Sequence, residues 1–226
     1  MPFVFDRDAY ERRTAWFTRA RFGLFLHWGL YAIPARGEWV RSVERIPNGE
    51  YDPLMIEFDP RHCDMREWMA AAKGACLLYT SPSPYTGFKS TNSPAGRDFV
   101  REFLDAAREA GLRAGLYFSL IDWRHPDFPH YGDRNHPMRD DPAYSNEGRD
   151  FGRYLDYMHA QVRELCSNYG RLDLLWFDFS YGELRGEAWR GTQLMEMVRA
   201  LQPDVVVNNR LEGSGEFRRL TAEVER

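Results

Sequence analysis

The segment RLDLLWFDF, residues 171–179, decides the fold. Because it is nearly all apolar, it predicts a strand that is buried on both faces. Strands of this kind are typical of parallel sheets whose faces are covered by helices. The apolar run ends in Asp178, a carboxylate that would be costly to bury unless it is paired or functional. The other reading of Asp178 is a residue that starts a loop or caps the next turn.

Strands and helices alternate on both sides of this segment. Further apolar runs predict strands over residues 22–28, 76–80, 112–120 and 204–210. Apolar residues at helical spacing predict helices over residues 64–73, 99–110, 151–169 and 194–201. Gly111 and Pro203 follow two of these patterns as expected helix stops. This alternation is typical of parallel βαβ units.

A parallel sheet of this kind forms either a doubly wound open sheet or a (β/α)8 barrel. No glycine-rich phosphate-binding motif follows the first predicted strand, which disfavours a nucleotide-binding open sheet. A complete barrel needs roughly 250 residues, whereas this chain has 226 residues. The sequence therefore predicts an α/β fold: an incomplete (β/α)8 TIM-like barrel of about five N-terminal units, in a single domain over residues 1–226.

The composition excludes several classes of protein. Hydrophobic residues make up 43% of the chain and charged residues 28%, which is typical of a globular domain. The net charge of −4 argues against a generally basic nucleic-acid binder. No apolar run is long enough to predict a membrane span, and the first residues do not resemble a secretory signal. We therefore expect a cytoplasmic protein without a nucleic-acid or membrane partner.

The cysteines and the loop histidines indicate neither a disulfide framework nor a metal site. Three widely spaced cysteines are an odd number and form no metal-binding pair motif. His125, His130 and His136 lie in one long polar loop, but their spacing fits neither a zinc helix motif nor the usual zinc patterns. We interpret this proline-rich loop as a rim of the site. No metal and no cofactor is predicted.

Polar side chains are concentrated where four of the five predicted strands end. These positions are His27, Tyr117, Ser119, Asp178, Asn208, Asn209 and Arg210. Since the carboxyl ends of parallel strands meet at one edge, this pattern predicts a site there. A core histidine at His27 and a structural ion pair at Arg210 are the alternatives. Trp39 and Trp176 fit either core packing or a sugar-stacking wall.

Five stretches resemble one known family, glycoside hydrolase family 29, the α-L-fucosidases. They are RFGLFLHWGLYAIPARGEWV at 21–40, STNSPAGRDFVREFLDAAREAGLRAGLYFSLIDW at 90–123, HPDFPHYGDRNHP at 125–137, LDLLWFDFSYG at 172–182 and VVVNNRLEGSG at 205–215. The motifs occur in the family's order and cover most of the chain. The resemblance implies a (β/α)8-like catalytic barrel and hydrolysis of terminal α-L-fucosyl residues with retention of configuration.

The resemblance also implies roles for individual residues. A retaining hydrolase uses one carboxylate as the nucleophile and a second carboxyl as the acid/base, and the family's nucleophile corresponds to Asp178. The family's sugar-binding positions correspond to His27, Glu38, Trp39, Tyr117, Trp176 and Arg210. The implied partner is a fucosylated oligosaccharide or glycoconjugate, and the implied oligomeric state is open.

Two departures from the family pattern limit what the resemblance implies. The family's His-His motif is absent, and residues 75–88 have an unrelated sequence, either a sequence error or a natural loop variant. The acid/base is expected beyond the C-terminus, with Glu212 and Glu216 as weak candidates in a stretch rich in Gly and Ser. The chain alone is therefore expected to have little activity. Two alternatives stay open: a carbohydrate-binding barrel without turnover, and an open-sheet enzyme for another polar metabolite.

Overall fold

A computed structural model describes residues 6–20, 23, 25–26, 28–71, 86–129 and 133–211 of the chain. The α-helices are α1 Arg7–Ala20, α2 Val40–Val43, α3 Asn48–Tyr51, α4 Leu54–Glu57, α5 Met65–Ala71, α6 Phe99–Glu109, α7 Phe151–Asn168 and α8 Gly191–Leu201. Short 3-10 helices span Leu30–Ala32, Ser90–Asn92 and Gly186–Trp189. The strands are β1 Gly115–Ser119, β2 Leu174–Asp178 and β3 Val206–Val207.

The described strands form one parallel sheet in the order β1-β2-β3. In the register of β1 and β2, Tyr117 pairs with Trp176 and Ser119 pairs with Asp178. In the register of β2 and β3, Leu175 pairs with Val207. The predicted α/β class with parallel pairing is therefore confirmed, and the carboxyl ends of β1 and β2 coincide.

The core lies on one face of this sheet. Leu116 and Phe118 of β1 and Leu175 and Phe177 of β2 are buried, because alternate residues of a strand point to the same face. They pack in one apolar cluster with residues of α6, α7 and α8. Burying each Leu or Phe side chain contributes about 1.5–3 kcal/mol relative to its exposure.

The other face of β1 and β2 carries the polar residues and is only half-buried. Tyr117, Ser119, Trp176 and Asp178 all have intermediate exposure. The prediction that the 171–179 strand is buried on both faces is therefore wrong for one face. The physical reason is that the three helices of the core cover the face of the sheet that carries Leu175 and Phe177.

Helix ends follow their local sequence. The carboxylate of Asp98 accepts a hydrogen bond from the Arg101 N–H and begins α6, and Asp150 accepts one from the Arg153 N–H at the start of α7. Gly111 adopts a left-handed φ of 72° just after α6, which confirms it as the predicted helix stop. The sequence analysis made no use of these aspartates, although Asp is a common residue at the start of a helix.

Other predicted elements differ from the structure or lie outside it. The segment 22–28 was predicted as a strand, but its described residues, Gly23, Phe25, Leu26 and Trp28, belong to no strand. The strand predicted over 76–80 lies outside the described residues. The sequence also gave no prediction of α1, because none of its residues is buried and its apolar pattern is weak. No helix in the described part of the chain is both long and apolar enough to cross a bilayer.

Gly115 tests how tightly β1 and β2 pack. A Cβ at Gly115 would lie 2.5 Å from Leu174 Cβ and 2.7 Å from the Leu174 carbonyl oxygen. We expect Gly115→Ala to reduce the free energy of unfolding by about 1–3 kcal/mol, because the neighbouring strand must shift. Gly49→Ala is the control, since a Cβ there meets nothing within 4 Å. Urea denaturation should place the control within about 0.5 kcal/mol of the parent, and equal effects of both substitutions would contradict the described pairing.

Candidate active site

Asp178 is the centre of the polar edge of the sheet. Its Oδ2 accepts a hydrogen bond from the Tyr117 hydroxyl at 3.1 Å. Its Oδ1 accepts one from the Phe179 N–H at 2.8 Å and lies 3.4 Å from Arg210 Nη1. The side chain of Asp178 is only 25% exposed. These donors, one of them a guanidinium, compensate for the water that burial removes from the carboxylate.

The parallel register explains why these donors converge. Ser119 is directly opposite Asp178, so Tyr117 lies two residues before that position on the same face of the sheet. The Leu120 N–H donates to the Asp178 carbonyl oxygen at 3.1 Å, which continues the pairing past the end of β1. Arg210 comes three residues after β3 and approaches from the other side. Three segments that are distant in sequence thus supply one carboxylate.

Aromatic rings line the half-buried face beside Asp178. The ring of Phe25 packs edge-on against Trp176, with 5.6 Å between centroids, and against Tyr117 at 5.8 Å. The Phe25 ring therefore lies over the same face of β1 and β2. The result is a wall of aromatic rings next to a carboxylate, which is typical of sites that bind a molecule with both apolar and polar faces.

Phe179 has a backbone conformation that is rare for a bulky residue. Its φ is 70°, in the left-handed region. This conformation accompanies the hydrogen bond from its own N–H to the preceding carboxylate. Its ring lies edge-on to Trp39 at 5.5 Å, and Trp39 is 37% exposed. Phe179 thus connects Asp178 to an exposed indole on the loop before α2.

Asp133 joins the loop after β1 to the loop after β2. This carboxylate is buried and accepts hydrogen bonds from Trp123 Nε1 at 2.7 Å and from the Tyr181 hydroxyl at 2.6 Å. Burial of Tyr181, together with its hydrogen bond to Asp133, raises the pKa of the phenol above its ordinary value. The ring centroids of Trp39 and Trp123 are 6.5 Å apart, so Trp123, which donates to Asp133, packs beside the exposed indole of Trp39.

The side chain of Asn208 is hydrogen-bonded to the backbone near the end of β2. Its Oδ1 accepts a hydrogen bond from the Phe177 N–H at 2.9 Å, and its Nδ2 donates to the Phe177 carbonyl at 2.8 Å. The sequence placed Asn208 at a strand end but indicated no partner for it. The contacts of Phe179 and Asp133 were missed as well, because neither a left-handed phenylalanine nor a buried loop carboxylate has a local sequence signal.

The structure unites most of the predicted site residues. Tyr117 and Arg210 both contact Asp178. Trp176 pairs with Tyr117 across the sheet, and Trp39 contacts Phe179, the residue after Asp178. Glu38 is exposed. Burial raises the pKa of the Tyr31 hydroxyl, and the negative charge of Glu38 raises it further, so Glu38 lies near Tyr31. The predicted residues His27, Glu212 and Glu216 lie outside the described part of the chain.

His125 and His136 stabilise the local backbone of their loop. His125 Nδ1 accepts from the Asp127 N–H and His136 Nδ1 accepts from the Met138 N–H, both at about 3 Å. Burial lowers the pKa of His125, although Asp122 and Asp127 act in the opposite direction. His130 lies outside the described residues. Within the described ranges, no three His, Cys, Asp or Glu side chains are grouped as a metal site.

A cavity of 600 Å³ lies at the opposite edge of the sheet. It is lined by α1 residues, including Trp16, and by Arg113, Arg171 and Asp204. Because these last three residues precede the strands rather than follow them, the cavity is separate from the edge that carries Asp178. The site is therefore defined by the convergence of side chains at the carboxyl ends and not by this cavity.

The family model described as Alpha-L-fucosidase matches residues 5–224. The chain belongs to the α-L-fucosidase family. The resemblance that the motifs indicated is thus confirmed. Among curated relatives of this α-L-fucosidase family chain, the tissue alpha-L-fucosidase of Rattus norvegicus is 29% identical over 229 residues, which cover 86% of this chain and 46% of the rat protein. The chain therefore spans about half the length of the curated relatives that it matches.

Solved α-L-fucosidases have the same fold over most of the chain. Alpha-L-fucosidase isoenzyme 1 from Paenibacillus thiaminolyticus is 52% identical with a TM-score of 0.85, covering 90% of this chain and 51% of that one. Alpha-L-fucosidase AlfC from Lactobacillus casei, in complex with its α-L-fucose product, is 29% identical with a TM-score of 0.76, covering 90% of this chain and 72% of that one.

Tyr181→Phe tests the Asp133 network through pH. Folded Tyr181 keeps its proton at a pH where an unfolded tyrosine, with a pKa of about 10, loses it. The folded state then binds more protons, so this group contributes stability below pH 10 that is lost as the pH rises further. We expect Tyr181→Phe to lower the free energy of unfolding by about 1–2 kcal/mol at pH 7, because Asp133 loses a donor. Between pH 9.5 and pH 11, the free energy of unfolding should decrease less steeply with pH in this variant than in the parent.

Urea denaturation across this pH range measures both effects. Tyr31 also has a raised pKa, so the alkaline loss should be reduced rather than abolished. An unchanged alkaline slope in the Phe variant would contradict the assignment of a protonated, buried hydroxyl at Tyr181.

Proposed function

We propose that this chain carries the nucleophile half of an α-L-fucosidase active site, which hydrolyses terminal α-L-fucosyl residues with retention of configuration. The single observation that supports this proposal is the setting of Asp178. It is a largely buried carboxylate at the carboxyl end of a parallel strand, with Tyr117 and Arg210 as donors, and the aromatic residues Trp176 and Phe179 are close to it in the chain.

The proposed reaction is a double displacement. An oxygen of Asp178 attacks the anomeric carbon of fucose, and the bond from that carbon to the leaving oxygen breaks. A carboxylic acid donates its proton to the departing oxygen, and an ester to Asp178 remains. A water molecule then attacks the same carbon, gives its proton to the acid/base, and releases fucose and the free Asp178 carboxylate.

The donors around Asp178 have a stated task in this scheme. Arg210 and the Phe179 N–H act on Oδ1, and the Tyr117 hydroxyl acts on Oδ2. They fix the direction in which its free lone pairs point. When the ester forms, the carboxylate loses its negative charge and these hydrogen bonds weaken. In the second step the negative charge returns to Asp178 and the hydrogen bonds strengthen again, so they stabilise Asp178 as the leaving group.

We assign the sugar contacts to the family positions. His27 and Glu38 would hold sugar hydroxyls, and an indole would lie against the apolar face and methyl group of fucose. The proposed substrate-binding residues are His27, Glu38, Trp39, Tyr117, Trp176 and Arg210. The exposed ring of Trp39 and the half-buried ring of Trp176 support the stacking role. Glu212 and Glu216 are the weak candidates that this chain offers for the acid/base.

We further infer that the three-stranded sheet is part of a (β/α)8 barrel, of which this single domain supplies about five N-terminal units. The parallel order and the functional edge at the carboxyl ends of the strands support this inference. The proposed substrate class is a fucosylated oligosaccharide or glycoconjugate. AlfC variants were solved with Fuca(1,6)GlcNAc and with 4-nitrophenyl-a-L-fucopyranoside, which supports this class for the family.

Asp178→Asn tests the nucleophile. We expect hydrolysis of 4-nitrophenyl α-L-fucopyranoside by the chain to fall at least about 1,000-fold, because the amide cannot form the ester. This substrate has a good leaving group, so the first step needs little help from an acid. Asp204→Asn is the matched control, since Asp204 is an exposed aspartate at the opposite edge of the sheet. Equal activity of the two variants would reject Asp178 as the nucleophile.

The second candidate function is carbohydrate binding without turnover. The observation that favours it is the exposed Trp39 ring, 5.5 Å from Phe179, because a stacking wall binds sugar whether or not a bond breaks. Saturating L-fucose should raise the melting temperature of the chain, with a stabilisation of about 2.7 kcal/mol at one hundred times Kd. Trp39→Ala should remove most of this shift. A shift in the parent without any nitrophenol release would favour binding alone, and no shift would contradict a sugar site.

A further inference from the structure

The pairing of β2 continues after β3 has ended. β3 stops at Val207, and residues 209–210 form a turn. The Asn208 N–H still donates to the Leu175 carbonyl, at 3.4 Å. Its side-chain amide then takes over: Oδ1 accepts from the Phe177 N–H at 2.9 Å and Nδ2 donates to the Phe177 carbonyl at 2.8 Å. One side chain thereby stands in for the next peptide of a strand.

This contact fixes the residue that precedes Asp178. Phe177 is fully buried, so its peptide N–H and carbonyl need protein partners. On the opposite side, the Leu120 N–H holds the Asp178 carbonyl oxygen at 3.1 Å. The end of β2 is therefore tied from both neighbouring segments. Without the amide of Asn208, no hydrogen bond from the β3 side would hold the Phe177 N–H and carbonyl, directly before Asp178.

The same contact determines where Arg210 begins. Because the side chain of Asn208 does the pairing, the backbone is free to turn at once, and Arg210 follows after one intervening residue. The turn brings Arg210 Nη1 to 3.4 Å from Asp178 Oδ1. Asn208 thus sets the position of both members of this ion pair, the carboxylate through Phe177 and the guanidinium through its own backbone.

We propose that Asn208 is a positioning residue for catalysis, which aligns Asp178 and Arg210 for attack on the anomeric carbon. This inference rests on the proposed function, because it needs Asp178 to be the nucleophile. It assigns to Asn208 no contact with substrate. Its effect is on the rate of the chemical step, since a small displacement of a reacting group costs rate far more than it costs binding.

The experiment measures covalent labelling of Asp178 by 2-deoxy-2-fluoro-α-L-fucosyl fluoride. In this reaction an Asp178 oxygen bonds to the anomeric carbon and fluoride leaves, so no protein acid is required. Mass spectrometry of the 226-residue chain follows the ester over time and over reagent concentration. This separates the maximal labelling rate from the concentration at half-maximal rate, and a purely structural defect in the sugar site would change the second quantity.

Asn208→Ala removes both hydrogen bonds to Phe177. We expect its maximal labelling rate to fall about 10–100-fold, with little change in the half-maximal concentration. Asn208→Asp conserves volume and keeps the acceptor for the Phe177 N–H, but its second oxygen would face the Phe177 carbonyl. We expect its rate to be intermediate. Asn168→Ala is the matched control, because Asn168 is an exposed asparagine at the end of α7, outside the site, and should label like the parent.

A second readout reports on the contact itself. Hydrogen exchange of the Phe177 amide should accelerate in Asn208→Ala and remain unchanged in Asn168→Ala, because only the first substitution removes its acceptor. If Asn208→Ala does not fold, the rate of the isosteric Asn208→Asp decides the matter.

The outcomes separate the two proposals. Labelling of the parent with equal maximal rates in folded Asn208 variants would overturn the positioning role alone. A rise in the half-maximal concentration without loss of rate would also overturn it, in favour of a role in shaping the sugar site. A parent chain that folds but shows no ester at Asp178 would reject the proposed function, and the inference with it.

Discussion

The parallel pairing of β1 with β2 is the constraint on which the rest of the site depends. In that register Tyr117 lies beside Trp176 and Ser119 beside Asp178, so both strands end at the same edge. A slip of one residue would turn Tyr117 into the core and bring Phe118 to the site face, because side chains alternate along a strand. The buried residues Leu116 and Phe177 oppose such a slip, since they belong to the apolar face. Core packing thereby determines the geometry of the polar edge.

The electrostatics of the site follow from this geometry. A carboxylate that is three-quarters buried is stable only with donors nearby. Asp178 receives one donor from β1, one from the next peptide and one from the segment after β3. No single segment could supply all three. The site therefore exists only when the sheet is assembled, which explains how a strongly polar group can occupy the end of an apolar strand.

The sequence was informative where one segment carries its own signal. The apolar strand before Asp178, the amphipathic helix over 151–169 and the glycine after α6 were all readable, because periodicity and backbone preference act locally. Contacts between segments were not readable. The sequence around Asp133 does not indicate that Trp123 and Tyr181 are its partners. The helix α1 has no buried residue, so its sequence has no strong apolar periodicity. The motifs identified the positions of the site, whereas the structure supplied the contacts among them.

Phe179 and Asn208 show how the end of β2 resists relaxation. A phenylalanine in the left-handed region stores about 1–3 kcal/mol of strain. Such strain persists only if the surroundings hold it, and here the Phe179 ring packs on Trp39 while its N–H bonds to Asp178. Two residues before Phe179, the Asn208 amide holds both the N–H and the carbonyl of Phe177. The backbone is thus restrained before and after the carboxylate. This arrangement favours a nucleophile that must attack along one direction. The free-energy cost of strain and ordering is compensated when the protein folds, so substrate binding does not have to compensate for it.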